Sequence, residues 1–254
     1  MRMVLGLPFL GGVLLLKRVP LRFAPADVRP IVLGGAIFTL HFMIQATGLV
    51  TTTATNTAWI ICVSPLALAV LSFVFLHERI GWGGVLGIAV ATVGILLLVS
   101  RGNLTDLRWL RSTGDWLVLA SAHTWALYTV TTRNLSRRRD PLAVAFGILL
   151  VAGLFTAMLF AVVGDLGRVR SLTPRGMLAL LYLAIPGLAI GQWFWQEGVS
   201  KLGATRAGLF LYLEPLATLA LAVPILGEPF GPIVALGGGL VLAGVYLGQR
   251  DSRT

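Results

Sequence analysis

The stretches of this chain that contain no Asp, Glu, Lys or Arg decide what it can fold into. A helix needs about 20 consecutive apolar residues to cross roughly 30 Å of hydrocarbon. Residues 80–100, 141–164, 176–196 and 229–249 each supply one such crossing. The 47 residues from Pro30 to Leu76 supply two, with the polar "TTTAT" at 51–55 as the place to turn. Residues 116–132 add another, and 204–226 are long enough although Glu214 stands near their centre. These stretches make eight crossings. Residues 3–16 are apolar too, but they number 14 and run into Lys17 and Arg18, so they are too short to cross alone. No small-residue cleavage pattern follows them, which argues against a signal peptide. Hydrophobic residues make up 57% of the chain and charged residues 12%, against about 25% charged in soluble domains. The predicted fold class is therefore an all-α membrane protein, a polytopic helical bundle.

The motif "FLHERIG" at 75–81 returns as "ILGEPFG" at 225–231. A shift of 150 positions superposes Gly48 on Gly198, Ala54-Thr55 on Ala204-Thr205, Pro65-Leu66-Ala67 on Pro215-Leu216-Ala217, and Glu78 on Glu228. It also places Gly81 on Gly231, Leu86-Gly87 on Leu236-Gly237 and Gly94 on Gly244. No gap is needed, and 13 of the 50 residues from 46 to 95 are identical. Gly, Pro and Glu are prominent among the identities, so shared hydrophobicity explains them poorly. The chain is two copies of one unit.

The second copy holds five expected crossings, at 116–132, 141–164, 176–199, 204–226 and 229–249. An odd number forces the two copies into opposite orientations, the inverted-repeat design of many secondary transporters. The first of the five has no counterpart in the first copy, and the second matches the short segment at 3–16. The expected domains are thus 1–101, lacking a first helix and part of a second, and 114–249, complete. A chain truncated at its start is one explanation; a genuine variant with eight or nine spans is the other. Placing the C-terminus in the cytoplasm puts 13 of the 20 Lys and Arg residues inside, among them Arg133 and Arg137 to Arg139, a moderate bias toward that orientation. The net charge of +10 then reads as topology, and "RNLSRRRD" at 133–140 as a cytoplasmic anchor with no nucleic-acid partner implied. Cys62 is the lone cysteine, so no intramolecular disulfide can form.

"SPLALAVLSFVFLHERIGWGGVLGIAVATVG" and "EPLATLALAVPILGEPFGPIVALGGGLVLAG" share a mid-helix Pro-Leu-Ala, a Leu-x-Glu at the helix end and a glycine-spaced helix after it. This pattern resembles the EamA domain, which occurs in tandem in bacterial members of the drug/metabolite transporter superfamily. Residues 114–133, "GDWLVLASAHTWALYTVTTR", are similar to the opening helix of such a domain. The resemblance covers nearly all of the chain. It implies ten helices in two inverted five-helix repeats with both ends cytoplasmic, and a small-molecule substrate; this sequence departs by lacking the first helix and part of the second.

Glu214 is the first candidate for function. A carboxylate at mid-bilayer costs at least about 2.5 to 3.5 kcal/mol, so it should face a cavity or a partner. Pro215 beside it removes a helix hydrogen bond and frees a carbonyl. The first copy has Ser64-Pro65 at the matching place, so the charge is asymmetric. Glu214 either couples transport to protons or binds a substrate amine, or it is a protonated acid bonded between helices. Glu78 and Glu228, each at a span end before a Gly or Pro turn, are expected to hold the next helix's free N–H groups. Together with Pro65 and Pro215 they form the structural set.

Candidate substrate-binding residues follow from helical spacing. Ser121, Thr124, Trp125 and Tyr128 fall at i, i+3, i+4 and i+7, a polar and aromatic stripe on an otherwise apolar helix. His41 and Gln45 share a face of the helix at 30–50, and Gln192, Trp195 and Gln196 share one in the equivalent later helix. Helix-to-helix hydrogen bonding is the competing explanation of the stripe, a satisfied interior His that of His41, and an interfacial aromatic belt that of Trp195. Small residues recur every four positions at Gly231, Ala235, Gly239 and Ala243 and at Gly83, Gly87 and Ala91, expected to let helices approach within a chain or between chains of a homodimer.

Catalytic and metal signatures such as H-E-x-x-H, G-x-S-x-G, G-K-[ST] and C-x-x-C are absent, and His41, His77 and His123 lie on separate segments. The expectation is no cofactor, no metal and no enzyme. The sequence points to a secondary transporter of the bacterial inner membrane that exports small amphipathic metabolites, amino acids or drugs, with the lipid bilayer around it and protons as a candidate coupling ion. The alternatives are an inactive fragment or accessory subunit and, less favoured, a membrane-embedded enzyme.

Overall fold

The computed structural model describes residues 1–52, 57, 60–78, 80–100, 112–164, 167, 171–217, 220, 224 and 231–250. All regular structure among them is helical. In chain order the helices are α1 (Arg2–Leu16), α2 (Pro25–Leu49), α3 (Ser64–Leu76), α4 (Trp82–Ser100), α5 (Thr113–Arg138), α6 (Pro141–Val163), α7 (Pro174–Ala184), α8 (Gly191–Leu202), α9 (Ala204–Leu209) and α10 (Pro232–Arg250). A π-helical segment, Ile185–Ile190, joins α7 to α8 without a break, and a 3-10 segment, Phe210–Leu213, follows α9.

Local chemistry fixes several of the starts. Asp140 precedes α6 and accepts from the N–H groups of Leu142 and Ala143, with Pro141 at the first helical position. Thr173 caps α7 through the Gly176 N–H, again with a proline after the cap. Ser112 and Asp115 form a capping box at the start of α5: the Ser112 N–H donates to Asp115 at 2.7 Å and the Asp115 N–H to the Ser112 hydroxyl at 3.1 Å.

Among the described residues, α2, α6, α10 and the continuous run Pro174–Leu202 are long and apolar enough to cross a membrane, and α1, α3 and α4 add shorter apolar stretches. Their outward faces are apolar, with Phe73, Met158, Leu178 and Tyr246 each at least 60% exposed. In water such faces would drive aggregation; against lipid tails they are matched to their solvent. The helix that carries the expected stripe, α5, is 26 residues long.

The two Pro-Leu-Ala motifs do not sit in mid-helix. A turn at Cys62-Val63 precedes α3, so Pro65 lies in its first turn. After the 3-10 segment, helix resumes at Glu214, so Pro215 also lies in a first turn. Proline has no N–H to leave unpaired there, which is why the first turn tolerates it.

The chain divides into two compact units. One comprises residues 1–40 and 131–203, the other 41–130 and 204–254. Each unit draws helices from both sequence copies. In the first, α1 packs antiparallel on α6: the Thr156 hydroxyl donates to the Met3 sulfur at 3.1 Å, and a methyl group on Gly153 would lie 3.0 Å from Leu7. Leu10, Leu14, Leu149, Ala152, Leu188 and Val199 are among its buried side chains. Arg139 closes the start of α2 by donating from Nε and Nη2 to Asp27 at 2.7 Å, while the Ala24 N–H donates to the same carboxylate oxygen.

In the second unit α4 and α10 form the dominant helix pair. A methyl group on Gly87 would lie 2.6 Å from the Gly244 carbonyl oxygen, and one on Gly94 would lie 2.7 Å from the Gly237 carbonyl oxygen. As the position advances from 87 to 94 its partner retreats from 244 to 237, so the helices are antiparallel. The shift of 150 superposes Gly87 on Gly237 and Gly94 on Gly244, and the two contacts exchange under it. It also superposes the bounds of α4, 82–100, on those of α10, 232–250. Ala69, Ile95, Leu209, Tyr212, Val241 and Val245 complete the core at this crossing.

Gly87 and Ala91 face the partner helix as their spacing suggested, but the ridge expected on α10 does not. Ala235, Gly239 and Ala243 are exposed, and nothing lies within 4 Å of a methyl group placed on Gly231 or Gly239. The packed stripe is Gly237, Val241, Gly244 and Gly248. Two glycine-bearing faces compete on this helix, and only the position of the partner helix tells them apart.

Candidate functional site

The second unit gathers the stripe of α5 around His41. Near their meeting point α2 and α5 come within glycine distance: a methyl group on Gly48 would lie 2.9 Å from the Gly114 carbonyl oxygen. The Asp115 carboxylate of the capping box also accepts from the Thr52 hydroxyl just beyond the end of α2. This closeness brings His41 Nδ1 to 2.8 Å from the Ser121 carbonyl oxygen. A carbonyl only accepts, so the ring carries its proton on Nδ1. The Thr124 hydroxyl donates to the same carbonyl at 2.8 Å and lies 3.4 Å from His41 Nδ1. Ring centroids of His41 and Trp125 are 5.2 Å apart, and those of Trp125 and Tyr128 are 5.5 Å apart, within the range of favourable aromatic pairing.

His41, Ser121 and Tyr128 are buried, whereas Thr124, Trp125 and Gln45 are partly exposed. Helical spacing and the approach of α2 to α5 thus unite five of the candidates, His41, Ser121, Thr124, Trp125 and Tyr128. The Ser121 hydroxyl turns back to the Val118 carbonyl at 2.7 Å, a helix-internal bond.

The first unit holds the later candidates. Gln192 and Gln196 are buried on α8, with Trp195 partly exposed beside them. Ser136, on the last turns of α5, donates its hydroxyl to Gln196 Oε1. Helical spacing placed Gln196 on a face but named no partner for it; a serine inside the basic segment 133–140 carried no signal of its own.

Glu214 begins the helical stretch after the 3-10 segment and is exposed. Two residues earlier, Tyr212 is fully buried, and its hydroxyl lies 2.8 Å from that of Thr92 on α4. Cys62 packs against the same core. The Thr92–Tyr212 pair was missed in the sequence. A threonine inside an apolar helix, with its hydroxyl able to bond the Ile88 carbonyl one turn back, gives no hint of a partner 120 residues away.

Glu78 reaches across the sequence copies. Its carboxylate accepts from the Ala204 N–H at 3.3 Å, the Thr205 N–H at 3.1 Å and the Thr205 hydroxyl at 3.0 Å. These are the orphan donors at the start of α9, just after Gly203 with its positive φ of 84°. Removing the acid should cost what loss of a helix cap costs, about 1–2 kcal/mol. Glu78→Ala is expected to lower the thermal midpoint of the purified protein and Glu78→Gln to lower it less; equal midpoints for both variants and wild type would remove the cap from Glu78. Glu228 lies outside the described residues.

The EamA-like transporter family matches this chain over residues 1–100 and 112–248. The chain belongs to this family. Among relatives of the EamA chain are an uncharacterized transporter, YyaM, of Bacillus subtilis, 28% identical over 78% of this chain and 65% of that protein. An uncharacterized transporter of Methanothermobacter thermautotrophicus is 30% identical over 79% of this chain and 58% of its own length. A probable terminal-alkyne amino-acid exporter of Streptantibioticus cattleyicolor is 30% identical over 75% of this chain and 62% of its own length. The EamA chain therefore spans 58 to 65% of the length of these three relatives. A protein of known crystal structure shares the fold with a TM-score of 0.78 at 17% identity, over 100% of this chain and 87% of that one. Family, helical fold and crossing-length apolar helices together make this a multi-pass membrane protein of the EamA-like transporter family.

Proposed function

We propose that this EamA chain is a secondary active transporter that exports small amphipathic metabolites, amino acids or drugs by alternating access between two inverted five-helix repeats, at 1–101 and 114–249. The exchange of the Gly87–Gly244 and Gly94–Gly237 contacts under the 150-residue shift carries this proposal. Antiparallel copies of one helix, meeting at a local two-fold, are what an inverted repeat requires. The direction of transport and the amino-acid class draw on the exporter of Streptantibioticus cattleyicolor named above.

In this proposal His41, Gln45, Ser121, Thr124, Trp125 and Tyr128 offer substrate contacts in one unit, and Gln192 and Trp195 in the other. Glu214 couples transport to protons. Pro65, Pro215, Glu78 and Glu228 hold the helix starts. The bacterial inner membrane is the proposed location, with the C-terminus cytoplasmic, and the exposed ridge Ala235, Gly239 and Ala243 is the face on which a homodimer would close.

The test is uptake by proteoliposomes containing the full chain, against amino acids, amines and cationic drugs, with and without a pH gradient. Accumulation of one class above empty vesicles is expected; none for any class would end the proposal. Trp125→Ala is expected to raise the apparent KM for that substrate with little change in thermal midpoint. A lowered midpoint at unchanged KM would return Trp125 to packing.

A further inference from the structure

We propose that one end of the unit built from residues 1–40 and 131–203 binds the headgroups of anionic phospholipids. Three helix ends gather there around α8. The end of α1 reaches α8, where Lys17 Nζ lies 4.6 Å from the Trp193 ring centroid. The start of α2 is tied to the end of α5 through Asp27 and Arg139, and the end of α5 meets α8 through Ser136 and Gln196.

The carboxylates described at this end are engaged. Asp27 holds Arg139, Glu197 holds Lys201 at 2.7 Å, and Asp140 holds the first N–H groups of α6. Arg18, Arg22, Arg29, Arg137 and Arg138 remain exposed around them. Guanidinium groups gathered at the end of membrane-length helices are complementary to phosphodiester headgroups.

Backbone geometry gives a second, independent observation. The end of α1 is a Schellman turn, with the Val19 N–H donating to Leu14 O at 3.0 Å and the Arg18 N–H to Leu15 O at 3.1 Å. The residue at the left-handed position of such a turn is usually glycine. Here it is Arg18, at φ 53°. A side chain with a Cβ is disfavoured in that conformation, and strain of this kind is characteristic of functional positions. The guanidinium is what glycine would lack.

The experiment is lipid retention by the purified full chain, measured by native mass spectrometry after exposure to equal phosphatidylglycerol and phosphatidylcholine. Wild type is expected to retain phosphatidylglycerol preferentially, and each arginine removed should reduce the preference about fivefold. Arg18→Gly is the sharpest variant: it relieves the backbone and should keep or raise the thermal midpoint in neutral detergent while lowering the preference. Arg137→Gln with Arg138→Gln should lower it further, and Arg175→Gln, at the start of α7, should leave it unchanged. Equal retention of the two lipids by wild type, or a preference untouched by Arg18→Gly and the double variant, would overturn the proposal; so would an equal loss in Arg175→Gln.

Discussion

Gly94→Leu is expected to leave almost no folded protein in the membrane. Even a methyl group at this position would lie 2.7 Å from the Gly237 carbonyl oxygen and from the Val241 nitrogen. Both are helix backbone, which cannot swing aside as a side-chain tip can. Accommodating leucine means prising α10 from α4 along the central contact of the unit. Overpacking a core costs about 1–3 kcal/mol where neighbours can yield, and more where they cannot. Against a total stability of about 5–15 kcal/mol that is a large share. Gly239→Leu is the matched control for folding of the single chain: nothing lies within 4 Å of its added methyl group, so the amount of folded protein should hold, within about 0.5 kcal/mol, whatever the change does to association on that face. Fluorescence-detected gel filtration of tagged variants reads both. Equal peaks for the two would mean that α4 and α10 do not meet through these glycines.

On the proposed coupling role, Glu214→Gln should abolish pH-driven transport and leave the protein in the membrane. Glutamine keeps the shape of the side chain but cannot take up and release a proton. At the proposed mid-membrane position the same change replaces an acid that is costly to bury with a neutral amide of the same shape, so the thermal midpoint should hold. Loss of activity with unimpaired stability separates coupling from folding. Substrate exchange without a gradient should survive, because exchange needs binding and reorientation but no net proton movement. A response to the pH gradient unchanged from wild type would strip Glu214 of its coupling role.

Much of the architecture was legible in the sequence because it is periodic. Charge-free runs located α2, α6, α7 to α8 and α10, and the 150-residue shift carried the bounds of α4 onto those of α10. The stripe at 121, 124, 125 and 128 found its place because helical spacing is local, and so did the shared face of Gln192 and Gln196. What escaped depends on which helix lies opposite. The packed face of α10 could not be chosen between two glycine series. Glu78 was expected to serve the helix after it and instead caps α9, which starts 126 residues later. Thr92 and Tyr212 found each other across 120 residues, with no local pattern to announce either. The helix breaks before Ser64 and Glu214 escaped because proline looks the same in mid-helix and in a first turn.

The π-helical segment Ile185–Ile190 decides where the glutamines of α8 point. Buried or half-buried positions on α7 fall at Gly176, Leu180 and Ala184. At 3.6 residues per turn, a wheel drawn straight on from Ala184 would bring Gly191 to the inside two turns later. Gly191 is exposed, and Gln192 is the residue that is buried. The wide turns absorb one extra residue and rotate everything downstream by about 100°. Deleting a single residue from this segment would restore an ordinary helix and leave both amides facing inward, because the residue removed is the one the wide turns absorb.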